Sequence, residues 1–342
     1  MTAIAPSPSP ASAAAPRRIA RGRWYLAAAG LAVVVTAYSL TVASVPLPFG
    51  DVLDAFTGRA DDALSRLVWD YQIPRIILCW AVGAGLGASG AVLQSVIRNP
   101  LASPDVLGVT RGAGVTALFV VLILPATPLS LLPVAALAGG VAVTVVVYTL
   151  AYRGGTTPIR LALVGVAASA CCEAVIRFLL MRYPQNVNGS LIWLAGSFFG
   201  RTWQTVAITV PWVVVCLPVV VFLGRRLDVM GLGDPMAVGL GERAEGTRRL
   251  AIAVAVVLAS GAVAAAGTLS FVSLIAPHIA RRLVGGRMAA LTPMAAAVGV
   301  LLTLGADTLG RGISPPLEIP AGLITAVIGA PYFLYLLMRT GR

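Results

Sequence analysis

Seven stretches of this chain run for about twenty residues or more without a charged side chain: 24–50, 76–97, 112–152, 202–224, 250–280, 288–306 and 319–338. A helix that crosses a bilayer needs roughly 20 mostly apolar residues, so each run is long enough to span one. A soluble fold could not hide them. With 58% of 342 residues hydrophobic and 11% charged, the apolar surface exceeds what one core can bury, and the solvent for most of the chain must be lipid.

The runs do not map one to one onto helices. The 112–152 run carries Pro125, Pro128 and Pro133, which lack an N–H donor, so it reads as two spans joined by a tight loop. Residues 161–180 are apolar apart from Glu173 and Arg177 and make a further span. The 250–280 run contains Gly267 and Pro277 and reads as one full span followed by a short one. The expectation is an all-α membrane protein of about ten helices.

All 25 basic residues are arginine, and the formal charge is +12. They are scattered between the apolar runs rather than gathered on one face, which argues against nucleic acid. With both termini in the cytoplasm and ten alternating spans, 18 of the 25 arginines fall on the cytoplasmic side and 7 at or near the outer ends, the positive-inside pattern. The absence of lysine excludes a Walker A loop and any Schiff-base lysine, so a transporter built on this chain must have its ATP hydrolysed elsewhere.

Residues 1–16, rich in Ala, Pro and Ser, are expected to form a disordered tail, with 17–342 a single transmembrane domain. Arg17, Arg18, Arg21 and Arg23 precede the first apolar run, and Val42-Ala43-Ser44 resembles a cleavage site. The run is about twice the usual signal-peptide length, which favours a retained anchor. The acid-rich 44–72 segment suits an external loop with a short amphipathic helix. The hydrophilic 225–249 segment is the largest cytoplasmic feature, either a connector or a docking surface, and its glycines suggest two short helices.

Glu173 and Arg177 stand one turn apart within a span and can neutralise each other. The alternative is a polar site on a transport pathway. His278 is the only histidine, so no multi-histidine metal site exists; following Pro277, its ring is expected to cap a freed carbonyl. Cys79, Cys171, Cys172 and Cys216 show no metal or redox spacing and read as buried small hydrophobes. Gly90, Pro100 and Gly108 recur as Gly267, Pro277 and Gly285, each set placed between spans, as in an inverted repeat. The glycines at 83, 85, 87 and 90 would let helices approach closely. No nucleophile partnered by a base is visible, which argues against a membrane enzyme. A proton-coupled transporter could draw only on Glu173 and Asp307.

Three groups of strings point to a family. They are Ile73-Pro74-Arg75-Ile76 with Ser89-Gly90-Ala91-Val92-Leu93-Gln94 and Arg98-Asn99-Pro100-Leu101-Ala102-Ser103-Pro104-Asp105; Gly267-Thr268-Leu269-Ser270-Phe271-Val272 with Ala276-Pro277-His278; and Ala306-Asp307-Thr308-Leu309 leading to Glu318-Ile319-Pro320-Ala321-Gly322. The chain thereby resembles the FecCD family, permeases of type II ABC importers for ferric siderophores, haem and cobalamin. The resemblance implies ten helices per subunit in an inverted repeat, and a second permease subunit, identical or similar. It also implies two cytoplasmic ATPases that bind ATP and Mg, and an external binding protein. No cofactor on this chain is implied.

It further implies that 225–249 carries paired coupling helices, with Asp228, Gly231, Gly233, Asp234, Gly239, Gly241 and Glu242 as ATPase-coupling residues. Arg75 and Arg311 match positions that dock the binding protein in that family; the local alternative is that Arg75 anchors the helix end at the interface and Arg311 pairs with Asp307 one turn away. A further arginine frequent in the family is Gln72 here. The fifth helix, with Glu173 and Arg177, lines the pathway in that family.

Overall fold

The computed structural model describes residues 18–42, 47–124, 126–128, 131–152, 157–184 and 187–340, and every regular element among them is helical. The expected tail and the 43–44 cleavage-like bond lie outside the described residues. Seven helices are long and apolar enough to cross a membrane. They are α1 (Arg18–Thr41), α4 (Ile73–Ile97), α6 (Leu132–Ala151), α7 (Pro158–Arg182), α9 (Trp203–Met230), α11 (Ala244–Ala266) and α13 (Met288–Gly312). The shorter α5 (Val109–Ile123), α12 (Val272–Val284) and α14 (Ala321–Thr340) complete a set of ten.

Four small helices connect them. α2 (Phe49–Thr57) and α3 (Asp62–Arg66) fold the acid-rich segment back toward α4; α3 is capped by Asp61, whose side chain accepts from the Leu64 N–H at 2.8 Å. α8 (Val187–Leu194) precedes α9, and α10 (Asp234–Gly239) separates α9 from α11. The 225–249 segment therefore holds one free-standing short helix rather than two. Its first residues continue α9, and its last belong to α11, because the apolar periodicity of both helices extends past the charged positions.

α4 is the axis of the molecule. Its apolar residues are buried around its whole circumference, as in a helix enclosed by others. Ser89 Oγ donates to the Ala255 carbonyl at 2.7 Å, and Thr303 Oγ1 donates to the Cys79 carbonyl at 2.8 Å. These pairings set α4 antiparallel to α11 and α13. Where lipid offers no hydrophobic drive between helices, close packing of small residues supplies the contact. A Cβ built on Gly87 would lie 2.1 Å from the Ala295 carbonyl oxygen, and one on Gly83 2.5 Å from that of Gly299.

The inverted repeat exists, but not residue by residue at the spacing the sequence suggests. α4 and α5 form one unit, a long helix, a break and a short helix; α11 and α12 form the other, running in the opposite direction. Gly90, however, lies inside α4, whereas Gly267 follows α11; Pro100 sits in the turn after α4, whereas Pro277 is inside α12. Gly90 instead packs against Ser273, one turn before Pro277 in α12. Pro277 leaves the Ser273 carbonyl without its helical donor, and that oxygen occupies the space of a Gly90 side chain, 1.8 Å from the ideal Cβ position.

The expected cap by His278 is not seen among the described residues. Its ring stands edge-on to Tyr332 with centroids 6.0 Å apart, and Nε2 has no hydrogen-bond partner among the described residues. Of the four cysteines, Cys79 and Cys216 are buried as expected, but Cys171 is exposed and Cys172 half-buried, because α7 turns that face away from its neighbours.

Candidate functional site: two ends and a polar cavity

Three clusters of polar residues lie along the bundle. At the end where α4 begins, called here the Arg75 end, α3 runs through a wide helical turn, Leu67–Gln72, into α4, with Pro74 in the first turn, where a missing N–H costs nothing. This entry aims Arg75 at α13. Arg75 Nη2 lies 2.8 Å from Asp307 Oδ1, Nε bonds both Asp307 oxygens at 3.0 and 3.1 Å, and Nη1 lies 2.8 Å from Glu318 Oε2. Arg311 Nε makes an ion contact with Asp307 Oδ2 at 3.1 Å, one turn along α13. Its other nitrogens donate to Gln72 Oε1 at 2.9 Å, to Ser39 Oγ at 2.5 Å and to the Val42 carbonyl.

Asp307 thus holds two guanidinium groups with its own carboxylate only 1% exposed. The Arg311 side chain is 2% exposed in this chain, held between Asp307 and the Ser39, Val42 and Gln72 acceptors. Arg75 keeps 12% exposure beside Glu318. Gln72 explains itself here, since it supplies an acceptor to Arg311 where an arginine would add a third cation. Beside this cluster a cavity of about 250 Å³ is bounded by Tyr71, Phe198, Phe199 and Arg201. Arg201, in the turn before α9, has a buried Nε with no partner among the described residues, and burial draws its pKa down to about 10.

Midway along the bundle lies a polar cavity of about 410 Å³, lined by Ser103, Asp105, Thr110, Arg111, Ser169, Thr268, Ser270 and the rings of Phe271 and Phe333. It opens where both repeat units break, between α4 and α5 and between α11 and α12. Unwound backbone at this depth is tolerated only inside protein or beside a cavity. Gly108, at φ +75°, turns the chain into α5, and Val106 packs its carbonyl against Gly165 of α7. At its edge Glu173 pairs with Arg177 at 3.0 Å, the expected i,i+4 contact. It also pairs with Arg111 of α5 at 2.5 Å. That second partner, 62 residues away, was invisible to a local reading of the sequence.

At the opposite, Arg98 end, Asp234 of α10 joins three elements. Arg248 Nη2 lies 2.7 Å from Asp234 Oδ2 and Nη1 3.1 Å from Glu245, while Arg98, which ends α4 in a left-handed conformation at φ 51°, reaches the same Asp234. Burial pushes the Asp234 pKa up, but the Arg248 and Arg98 guanidiniums outweigh it and hold the carboxyl below its ordinary value. The latch therefore stays charged at neutral pH. Asp228 has a different job from its neighbours: its Oδ1 accepts from the Met288 N–H at 2.8 Å and caps the start of α13. Gly233 and Gly241, at φ +106° and +82°, turn the chain into and out of α10. Gly231 lies in helical conformation at the end of α9 and Gly239 in open space. Glu242 accepts from Thr247 Oγ1 at 2.5 Å. α10 itself buries only Ala237 and exposes Leu232, Met236, Val238 and Leu240 around it.

A broken-helix bundle with an inverted repeat, a polar cavity at its breaks and latched polar ends defines a membrane permease. The chain belongs to the FecCD transport family, whose model matches residues 31–339. It is 48% identical to the Fe(3+)-citrate import system permease protein YfmE of Bacillus subtilis, over 82% of this chain and 85% of that protein. It is 41% identical to the Fe(3+) dicitrate transport system permease protein FecD of Escherichia coli, over 92% and 96% of the two chains. Among solved structures, a metal-chelate type ABC transporter in an inward-facing conformation matches with a TM-score of 0.83 at 27% identity, covering 93% of this chain and 99% of that one.

Proposed function

We propose that the chain is the transmembrane permease subunit of an ABC importer that moves ferric chelates, siderophores or ferric citrate among them, into the cell by ATP-driven alternating access. The cargo reading rests on one observation, the 48% identity to a ferric-citrate import permease along most of both chains. Coupling to ATP rests on the Arg98 end. Exposed Leu232, Met236, Val238 and Leu240 form an apolar surface on a polar end of the molecule, which is how a partner-binding face differs from a solvated one.

In this reading the Arg98 end and both termini face the cytoplasm, an orientation that the arginine distribution supports. α10 sits on one of two ATPase subunits, which hold the ATP and Mg. The Asp234 latch to Arg98 of α4 and Arg248 of α11 carries its movement into the two long helices flanking the cavity. A second permease subunit completes the pathway, with Glu173, Arg177 and Arg111 along its wall. An external binding protein meets the Arg75 end, touching Arg75 rather than the enclosed Arg311.

Replacing Met236 with glutamate places a charge on the α10 surface without touching the bundle. The permease is expected to accumulate at wild-type level, with iron uptake reduced at least tenfold and its ATPases no longer co-purifying. The cargo is read out by uptake of labelled ferric citrate, ferric hydroxamate, haem and cobalamin in a strain lacking this gene and complemented with it. Restored uptake of a ferric chelate supports the proposal, and restored uptake of haem or cobalamin alone overturns its cargo.

A further inference from the structure

On the face away from the cavity, α6 and α11 diverge to leave a groove of about 290 Å³. Val141, Val145, Ile252 and Val256 line it, and Val145 and its neighbour Val146 are exposed toward the surroundings of the bundle. The one hydroxyl on its buried floor, Thr144, donates to the Gly140 carbonyl at 2.9 Å and offers the groove no donor. From Arg249 to Val257 the groove follows α11 for roughly 12 Å at 1.5 Å per residue.

Polarity enters only at the Arg98 end. Arg248 and Arg249 are neighbours with opposite fates. Arg248 turns inward onto Asp234 and Glu245, while Arg249, rotated a helical step to the outer face, is exposed, lines the mouth of the groove and makes no ion pair or hydrogen bond among the described residues. The stacked rings of Tyr148 and Tyr152, 6.3 Å apart, mark the same level, where aromatic side chains sit in a membrane interface. The groove lies between two helices in contact. It can take an extended hydrocarbon chain, but not another helix, whose axis would need 8–10 Å of separation.

We propose that this groove binds one anionic phospholipid from the leaflet at the Arg98 end, with an acyl chain along Val145, Ile252 and Val256 and the phosphate on Arg249. A net negative headgroup is favoured because Arg249 makes no ion pair among the described residues, the Glu245 carboxylate near this end being taken by Arg248 and the Tyr148 hydroxyl, whereas a zwitterionic lipid already balances its phosphate with its own ammonium. The occupant differs from bulk lipid in being retained on purification.

Native mass spectrometry of the purified full chain, exposed in parallel to phosphatidylglycerol and phosphatidylcholine of identical acyl chains, tests this. Wild type is expected to retain phosphatidylglycerol roughly fivefold better, the effect of one interfacial arginine. Arg249→Gln, an exposed substitution that leaves the fold intact, should equalise the two lipids, and Val145→Trp, which fills the groove, should abolish retention of both. Equal retention by wild type, a preference that survives Arg249→Gln, or a Val145→Trp variant that changes association between copies instead of lipid retention would each overturn the proposal.

Discussion

Gly87→Val is expected to leave almost no assembled permease. A Cβ at this position would stand 2.1 Å from the Ala295 carbonyl oxygen and 2.8 Å from its carbon. Both are backbone atoms, so no rotamer change relieves the contact, and α4 and α13 must move apart. Overpacking a core with flexible neighbours costs about 1–3 kcal/mol. Here the separation also strains the Thr303 bond to Cys79 and the Arg75–Asp307 pair on the same two helices, so the cost exceeds that range. Gly90→Val should behave alike, because the Ser273 carbonyl freed by Pro277 fills its space. Fluorescence-detected size exclusion of a tagged chain reads the result. Gly305→Ala, with no atom within 4 Å of the new Cβ, serves as the control and should accumulate normally.

The second large effect is expected at Asp307. Its carboxylate is 1% exposed and accepts from Arg75 while contacting Arg311. Removing one partner of a buried ion pair costs about 3–5 kcal/mol, because the remaining charge is left uncompensated. Asp307→Asn leaves two guanidiniums facing an amide that can accept from one and presents its own N–H donors to the other. Thermal stability of the purified protein should fall sharply, and the double variant Asp307→Asn with Arg311→Met, which removes one surplus cation, should recover part of the loss. A double variant less stable than Asp307→Asn alone would mean that Arg311 acts through its bonds to Ser39, Gln72 and Val42 rather than through charge balance.

Much of this fold was legible in the sequence because a membrane imposes length. Charge-free runs marked the spans, Pro128 marked the turn between α5 and α6, Pro133 the first turn of α6, and Gly267 the end of α11. The sites were less legible, because sequence patterns report neighbours one helical turn apart. The Glu173–Arg177 pair was foreseen on that basis. Arg111 on Glu173, Arg98 and Arg248 on Asp234, and Arg75 on Asp307 depend on how distant helices pack, and no periodicity encodes them. The same limit explains Arg311 and His278. Each was placed by its own helix position, while its environment is set by α1 and by Tyr332 of α14. Asp105 carried one signal, its place in a Gly- and Pro-bounded break between spans.

Reconstitution addresses the central claim most directly. If the proposed function holds, the chain reconstituted in proteoliposomes with an ABC ATPase and an external binding protein should accumulate radiolabelled ferric chelate only when ATP is present, with vanadate abolishing uptake and a protonophore leaving it unchanged. Uptake without ATP under an imposed proton gradient would contradict the account.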